Sequence, residues 1–123
     1  MMADEKIYRT AFVLQNTGHN FQDLLKVCER IVFITNGYEP ENEILDSLLS
    51  GLKEFDPEKD VIIPVGNVTQ NLLAGMLLPG LCKGHPNFTM GVYYEKEYHF
   101  RVVSLVGVLP TIISGALTNV KAQ

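Results

Sequence analysis

The sequence predicts one α/β domain over residues 1–123: a three-layer arrangement whose mixed sheet has three parallel strands, in βαβαβα order, and a C-terminal β-hairpin. Three observations predict it. Residues 60–81, DVIIPVGNVTQNLLAGMLLPGL, read as a buried strand, a glycine turn and an apolar helix. Two earlier apolar runs, at 7–14 and 31–34, likewise end in a polar glycine-containing turn followed by a helical pattern. Two stretches rich in Tyr, Phe and Val, 88–94 and 98–106, flank Glu95-Lys96-Glu97, the pattern of an antiparallel pair.

Taken in order, Ala11, Phe12, Val13 and Leu14 form the heart of the first strand. Residues 15–20, QNTGHN, turn the chain. Asn20 is placed to cap a short helix with Asp23 in its first turn, an apolar stripe of Phe21, Leu24, Leu25 and Cys28, and Lys26 and Arg30 near its end. Ile31 to Ile34 make the second strand, and Thr35-Asn36-Gly37 turns into a helix carrying Ile44, Leu45, Leu48, Leu49, Leu52 and Phe55 on one side. Gly51 weakens that helix without ending it. In the third unit Val61, Ile62, Ile63 and Val65 suit a strand covered on both faces, which fades at Pro64 because proline has no N–H for the ladder. Asn67 or Thr69 caps the next helix, Val68, Leu72, Leu73, Met76 and Leu77 give its apolar face, and Pro79-Gly80 stops it.

Composition excludes several functions. At 46% hydrophobic and 20% charged residues the chain has enough apolar material for one folded core. A formal net charge of -4 and the lack of any basic run argue against a nucleic-acid polymer as partner. Cys28 and Cys82 are far apart and read as small buried hydrophobes, and without a CxxC or a Cys/His cluster no zinc or other metal site is expected. The start MMADEKIYRT has no apolar signal core, so a cytoplasmic protein is expected. Residues 107–120 are apolar and uncharged, but Pro110 and the polar Ser and Thr residues disfavour a membrane span. They are expected to pack on the sheet or on another subunit, which favours a homo-oligomer.

In a parallel sheet, ligands sit beyond the carboxyl ends of the strands. Those ends carry Asn16, Thr17, Gly18 and His19; Asn36, Gly37 and Tyr38; and Gly66, Asn67 and Thr69. These ten residues are the candidate ligand-binding set. They offer neutral donors and acceptors, one imidazole and one ring for stacking, with no Lys or Arg, so a nucleotide-like or sugar-like ligand suits them better than a polyanion. Backbone N–H groups after Gly66 add an anion-binding element. Each turn is equally explained by ordinary turn and cap chemistry. GxxxxGK[ST] and GxGxxG are absent, no nucleophile has an activating base, and no catalytic residue or cofactor is assigned.

The run Asn16-Thr17-Gly18-His19-Asn20-Phe21, followed by Val32-Phe33-Ile34-Thr35-Asn36-Gly37-Tyr38, resembles a group of small uncharacterised bacteriophage accessory proteins, in which the pattern is NTGHDF and then FLTEGY. Residues 60–64 resemble that group's third strand. This sequence has Asn20 for the usual Asp and Asn36 for Glu, which removes two carboxylates from the edge. The resemblance implies a host-interfering or ligand-sequestering protein of the bacterial cytoplasm; several such phage proteins trap nucleotide immune signals. The reading is therefore non-catalytic binding of a small nucleotide-like ligand. The alternatives are an enzyme using His19 as acid or base and a protein–protein interaction module.

Overall fold

In a computed structural model, residues 6–37 and 40–105 are described. Tyr38 and the 107–120 segment lie outside the described residues. The elements are β1 (Tyr8–Gln15), a 3-10 turn (Gln22–Lys26), β2 (Cys28–Thr35), α1 (Glu41–Gly51), β3 (Val61–Ile63), α2 (Val68–Leu81), β4 (Asn87–Tyr94) and β5 (Glu97–Ser104). They build a five-stranded sheet in the order β2-β1-β3-β4-β5. The first four strands are mutually parallel and β5 is antiparallel to β4.

The parallel core thus has four strands rather than three. The expected hairpin is present, but its first strand also pairs with β3, through Val61 opposite Thr89 and Ile62 opposite Met90. The α2 crossover returns the chain to the end of the sheet where β3 began, so β4 must start in the same direction.

Alternation along the strands sorts two cores. Phe12, Leu14 and Ile62 meet Ile44, Leu48 and Leu52 of α1 and Ala74 and Leu78 of α2. Ala11, Val13, Val61 and Ile63 face the other way, toward Phe21, Leu24 and Cys28. Each fully buried aliphatic side chain contributes about 1.5–3 kcal/mol.

The first expected helix is a short 3-10 segment, so among the described residues the second face carries no α-helix. Asn20 spends its side chain on an Asx turn, accepting from the Gln22 N–H at 2.9 Å, and Cys28 and Arg30 belong to β2. Pairing of Tyr8 with Cys28 captures these residues for the ladder before a second helical turn forms. The α1 helix ends at Gly51, where a Cβ would come 2.7 Å from Ile34 Cδ1 and 3.1 Å from Cγ2. Its Ile44, Leu48 and Leu52 are buried as expected, while Leu45 and Leu49 stay exposed.

The α2 helix departs furthest from the expected pattern. Its buried residues are Gln70, Ala74 and Leu78, with Leu73, Leu77 and Leu81 flanking, and Val68, Leu72 and Met76 point outward. A helix apolar all round gives no amphipathic signal by which a face could be chosen. Pro79 does not stop the helix, which runs to Leu81. In the last turn the missing N–H removes only the bond to the Gly75 carbonyl.

The opposite, N-terminal edge is clasped by the buried Asp60. Its carboxylate accepts from Arg9 at 2.9 and 2.7 Å, from the Thr10 N–H at 3.1 Å and from the Asp56 N–H at 2.8 Å. Arg30 Nε donates to the Thr10 hydroxyl at 2.7 Å, which extends the clasp toward β2. Asp60→Ala leaves the Thr10 and Asp56 N–H groups without their acceptor and should cost about 1–3 kcal/mol in urea unfolding.

Two buried acids are held neutral by the fold. Burial, and then the neighbouring Asp60, push the Cys28 thiol up to about 11 from 9.0, against the opposing pull of Lys6. Burial, with Tyr93 and Asp23 adding to it, pushes the Tyr98 phenol up to about 12 from 10.0. The fold prefers the protonated forms, so this contribution is intact below the unfolded values and is lost as pH rises through the folded ones. The urea midpoint should be insensitive to these groups below pH 9.0 and fall between there and about 12, with Tyr98→Phe removing the upper part of the decline.

Candidate ligand-binding edge

Because β1, β2 and β3 are parallel, the turns after them open on one edge. β1 lies between β2 and β3, so the connections diverge on its two flanks. The crevice between the turns after β1 and β3 is the switch point where doubly wound sheets take ligands.

Gln15, the last residue of β1, occupies that crevice. Its Nε2 donates to the Gly37 carbonyl at 3.0 Å, and its Oε1 accepts from the Asn67 N–H at 2.6 Å. One carboxamide joins all three turns. Gly66 adopts φ +89°, and a Cβ there would lie 1.9 Å from Gln15 Oε1 and 2.7 Å from Gln15 Cβ. The glycine is therefore needed both for the left-handed turn and for room beside Gln15.

Around Gln15 the first two turns also touch. Asn16 N–H donates to the Thr35 carbonyl at 2.8 Å, and Asn16 Nδ2 reaches Asn36 Oδ1 in a long contact of 3.4 Å. Asn16 Oδ1 accepts from the Gly18 N–H at 3.1 Å, which holds Gly18 in its own left-handed turn. Asn67 caps α2, accepting from the Gln70 N–H at 3.2 Å. Of the two proposed caps, Asn67 serves and Thr69 stays exposed on the first turn.

A closed polar floor lies beneath. β3 ends opposite Val13, so β1 runs on with no strand on that flank. The Leu14 carbonyl is taken instead by Gln70 Nε2 and lies 3.2 Å from the Thr35 hydroxyl. Gln70 Nε2 also donates to Thr35 Oγ1 at 3.1 Å. Both side chains are buried. Buried polar groups of this kind are tolerated only when bonded, and here each finds a partner.

The structure therefore brings together Asn16, Gly18, Asn36, Gly37, Gly66 and Asn67, with Thr17 exposed beside them. His19 is turned along the sheet. Its ring packs against Phe21 at 5.5 Å and Tyr93 of β4 at 4.8 Å, both at steep angles. Tyr93 continues to Tyr98 at 5.0 Å, so His19 starts an aromatic row across the second face. Its described contacts are rings, which fits positioning or stacking better than proton transfer.

Sequence reasoning missed Gln15, Thr35, Gln70 and Tyr93. Gln70 shares the i, i+4 spacing of Ala74 and Leu78, but Val68, Leu72 and Met76 repeat it on the exposed side, so it carried no signal. Gln15 and Tyr93 carried none, since their roles depend on the approach of other strands. The anion-binding expectation is weakened, because the Asn67 N–H freed by the glycine turn is already bonded to Gln15.

No Asp, Glu, Lys or Arg lies within 15–20, 35–37 or 64–70, so these segments carry no formal charge of their own, although Glu39, Glu41 and Glu43 follow the second in sequence. Among the described residues no group of three or more His, Cys, Asp or Glu is placed to hold a metal. No described helix is long and apolar enough to cross a membrane. The largest described cleft, about 620 Å³, is at the opposite edge, with Arg9, Glu54, Glu58, Lys83 and His85 in its wall. Its Arg9 is tied to Asp60, and His85 lies 3.0 Å from both Glu58 Oε1 and the Asn87 carbonyl. Arg9 and Asp60 thus hold each other, as do His85 and Glu58.

Gln15→Ala removes two bonds between turns and should lower stability by about 1–3 kcal/mol. Gly66→Ala forces a left-handed alanine into the same space and should cost at least as much, with no further loss in the double variant beyond the backbone strain. Urea unfolding of the four proteins checks this; full additivity would separate Gly66 from Gln15.

No protein-family model, curated protein or solved structure matches this chain.

Proposed function

We propose that the protein binds a small nucleotide-like ligand at the C-terminal edge of the sheet and does not turn it over. The observation that carries this reading is the meeting of three neutral turns on the Gln15 carboxamide. Gly37 supplies an acceptor and Asn67 a donor, and a carboxamide fills the space between them. The lactam or amidine edge of a nucleobase offers the same adjacent donor and acceptor, so such a base would satisfy both groups if Gln15 swings aside. Asn16, Thr17, Asn36 and Thr69 add uncharged hydrogen-bonding groups at the rim, and His19 with Tyr93 adds aromatic surface for stacking. The absence of basic residues in these turns favours recognition of the base and sugar over the phosphates.

The resemblance to phage accessory proteins supports sequestration of such a ligand in the cytoplasm of a bacterial host over catalysis. An imidazole packed among rings, with no activating carboxylate on it, supports the same choice.

Thermal unfolding with a panel of nucleosides, nucleotides and cyclic nucleotides tests the reading. A ligand at about a hundred times its Kd adds about 2.7 kcal/mol, a clear rise in Tm. Asn16→Ala and Asn36→Ala should each reduce that rise, and the ligand should be recovered intact by mass spectrometry. Failure of every compound to stabilise the protein, or a rise that survives these substitutions but is lost in His85→Ala, would remove the site from this edge.

A further inference from the structure

The α2 helix presents more apolar surface than the sheet covers. Val68, Leu72 and Met76 stand at i, i+4 and i+8 and are 81%, 65% and 71% exposed. Beside them a groove of about 510 Å³ runs between α2 and the β4–β5 hairpin, walled by Gly75, Met76, Pro79, Phe88, Val103 and Leu105. In a doubly wound sheet the connection between the last strands lays a helix over this flank. Here a two-residue turn at Glu95-Lys96 replaces that connection, and no described element covers the flank.

The chain itself carries an occupant of matching chemistry. Leu105 is buried in the groove, and its N–H donates to the Pro86 carbonyl at 2.6 Å, which sets where the following segment departs. Residues 106–120, VGVLPTIISGALTNV, contain no charged residue. Leu109, Ile112, Ile113, Ala116, Leu117 and Val120 recur at i, i+3, i+4, i+7, i+8 and i+11, the spacing of one helical face, and Thr111, Ser114, Thr118 and Asn119 fall outside it. Pro110 suits the first turn of such a helix. Twelve helical residues, 109–120, span roughly 18 Å, a little less than a helix such as α2 at the same rise per residue.

We propose that residues 106–120 fold back into the groove between α2 and the β4–β5 hairpin of the same chain, with 109–120 as an amphipathic helix. The segment takes the place of the missing crossover helix, and its apolar stripe covers Met76, Pro79 and Val103.

The full chain has no tryptophan, so Ile113→Trp and, separately, Leu117→Trp report on the segment alone. Each indole should be blue-shifted and quenched by acrylamide several-fold less than free tryptophan, in a protein that sediments as a monomer. Met76→Glu should restore quenching. So should Gly75→Glu, whose added Cβ meets nothing within 4 Å. Far-UV circular dichroism verifies that both remain folded, as their exposure implies. Indoles fully open to quencher in the folded parent overturn the proposal. Shielding that survives both groove charges overturns it too, by putting the segment elsewhere. Shielding that disappears on dilution together with a dimer overturns it in favour of a second copy of the chain.

Discussion

The C-terminal edge of this sheet depends on where one carboxamide can go. β1 outlasts β3 by two residues, and its last side chain, Gln15, turns into the space that β3 vacates. From there it bonds to the turns after β2 and β3. Gly66 is the counterpart of that choice, since any side chain at 66 would collide with Gln15. The positions of Gly37, Gly66 and Asn67 follow from this contact. If the amide moves, the turns after β2 and β3 lose their common tie, which makes Gln15 the brace of the edge.

The two ends of the sheet are built on different electrostatics. The N-terminal edge uses full charge: a buried carboxylate answered by one guanidinium and two backbone amides. This tie joins β1 to the entry of β3 and to the end of α1. The C-terminal edge uses only neutral amides and hydroxyls. Neutral groups lose less on desolvation than ions do, so an edge of this kind can be opened to a ligand and closed again at lower cost.

The two faces also differ. One carries α1 and α2 and is deeply apolar. The other has a single 3-10 turn and is completed by rings, running from Phe33 through Phe21 and His19 to Tyr93 and Tyr98. Aromatic side chains bury large areas from few residues, which lets a short connection cover a face that usually needs a helix. In this arrangement His19 is part of the core's outer rim as well as of the candidate site.

Much of the architecture was legible in the residues themselves. Continuous β-branched runs mark strands buried on both faces, glycine turns mark their ends, and Pro64 marks where β3 must stop, because each depends on local sterics and on hydrogen-bonding capacity. The gathering of Asn16, Asn36 and Asn67 on one edge followed from parallel strands alone. Other features only the tertiary structure could decide. Cys28 and Arg30 had a helical pattern and became strand because β1 offered a partner. The buried face of α2 could not be chosen from a helix apolar on every side; contact with Leu14 and Thr35 selected Gln70, Ala74 and Leu78. Gln15 looked like one more turn residue, and its role arises from the neighbouring strand ending two residues earlier. Local chemistry determines which elements form, whereas which side chain fills a gap depends on where a different strand ends.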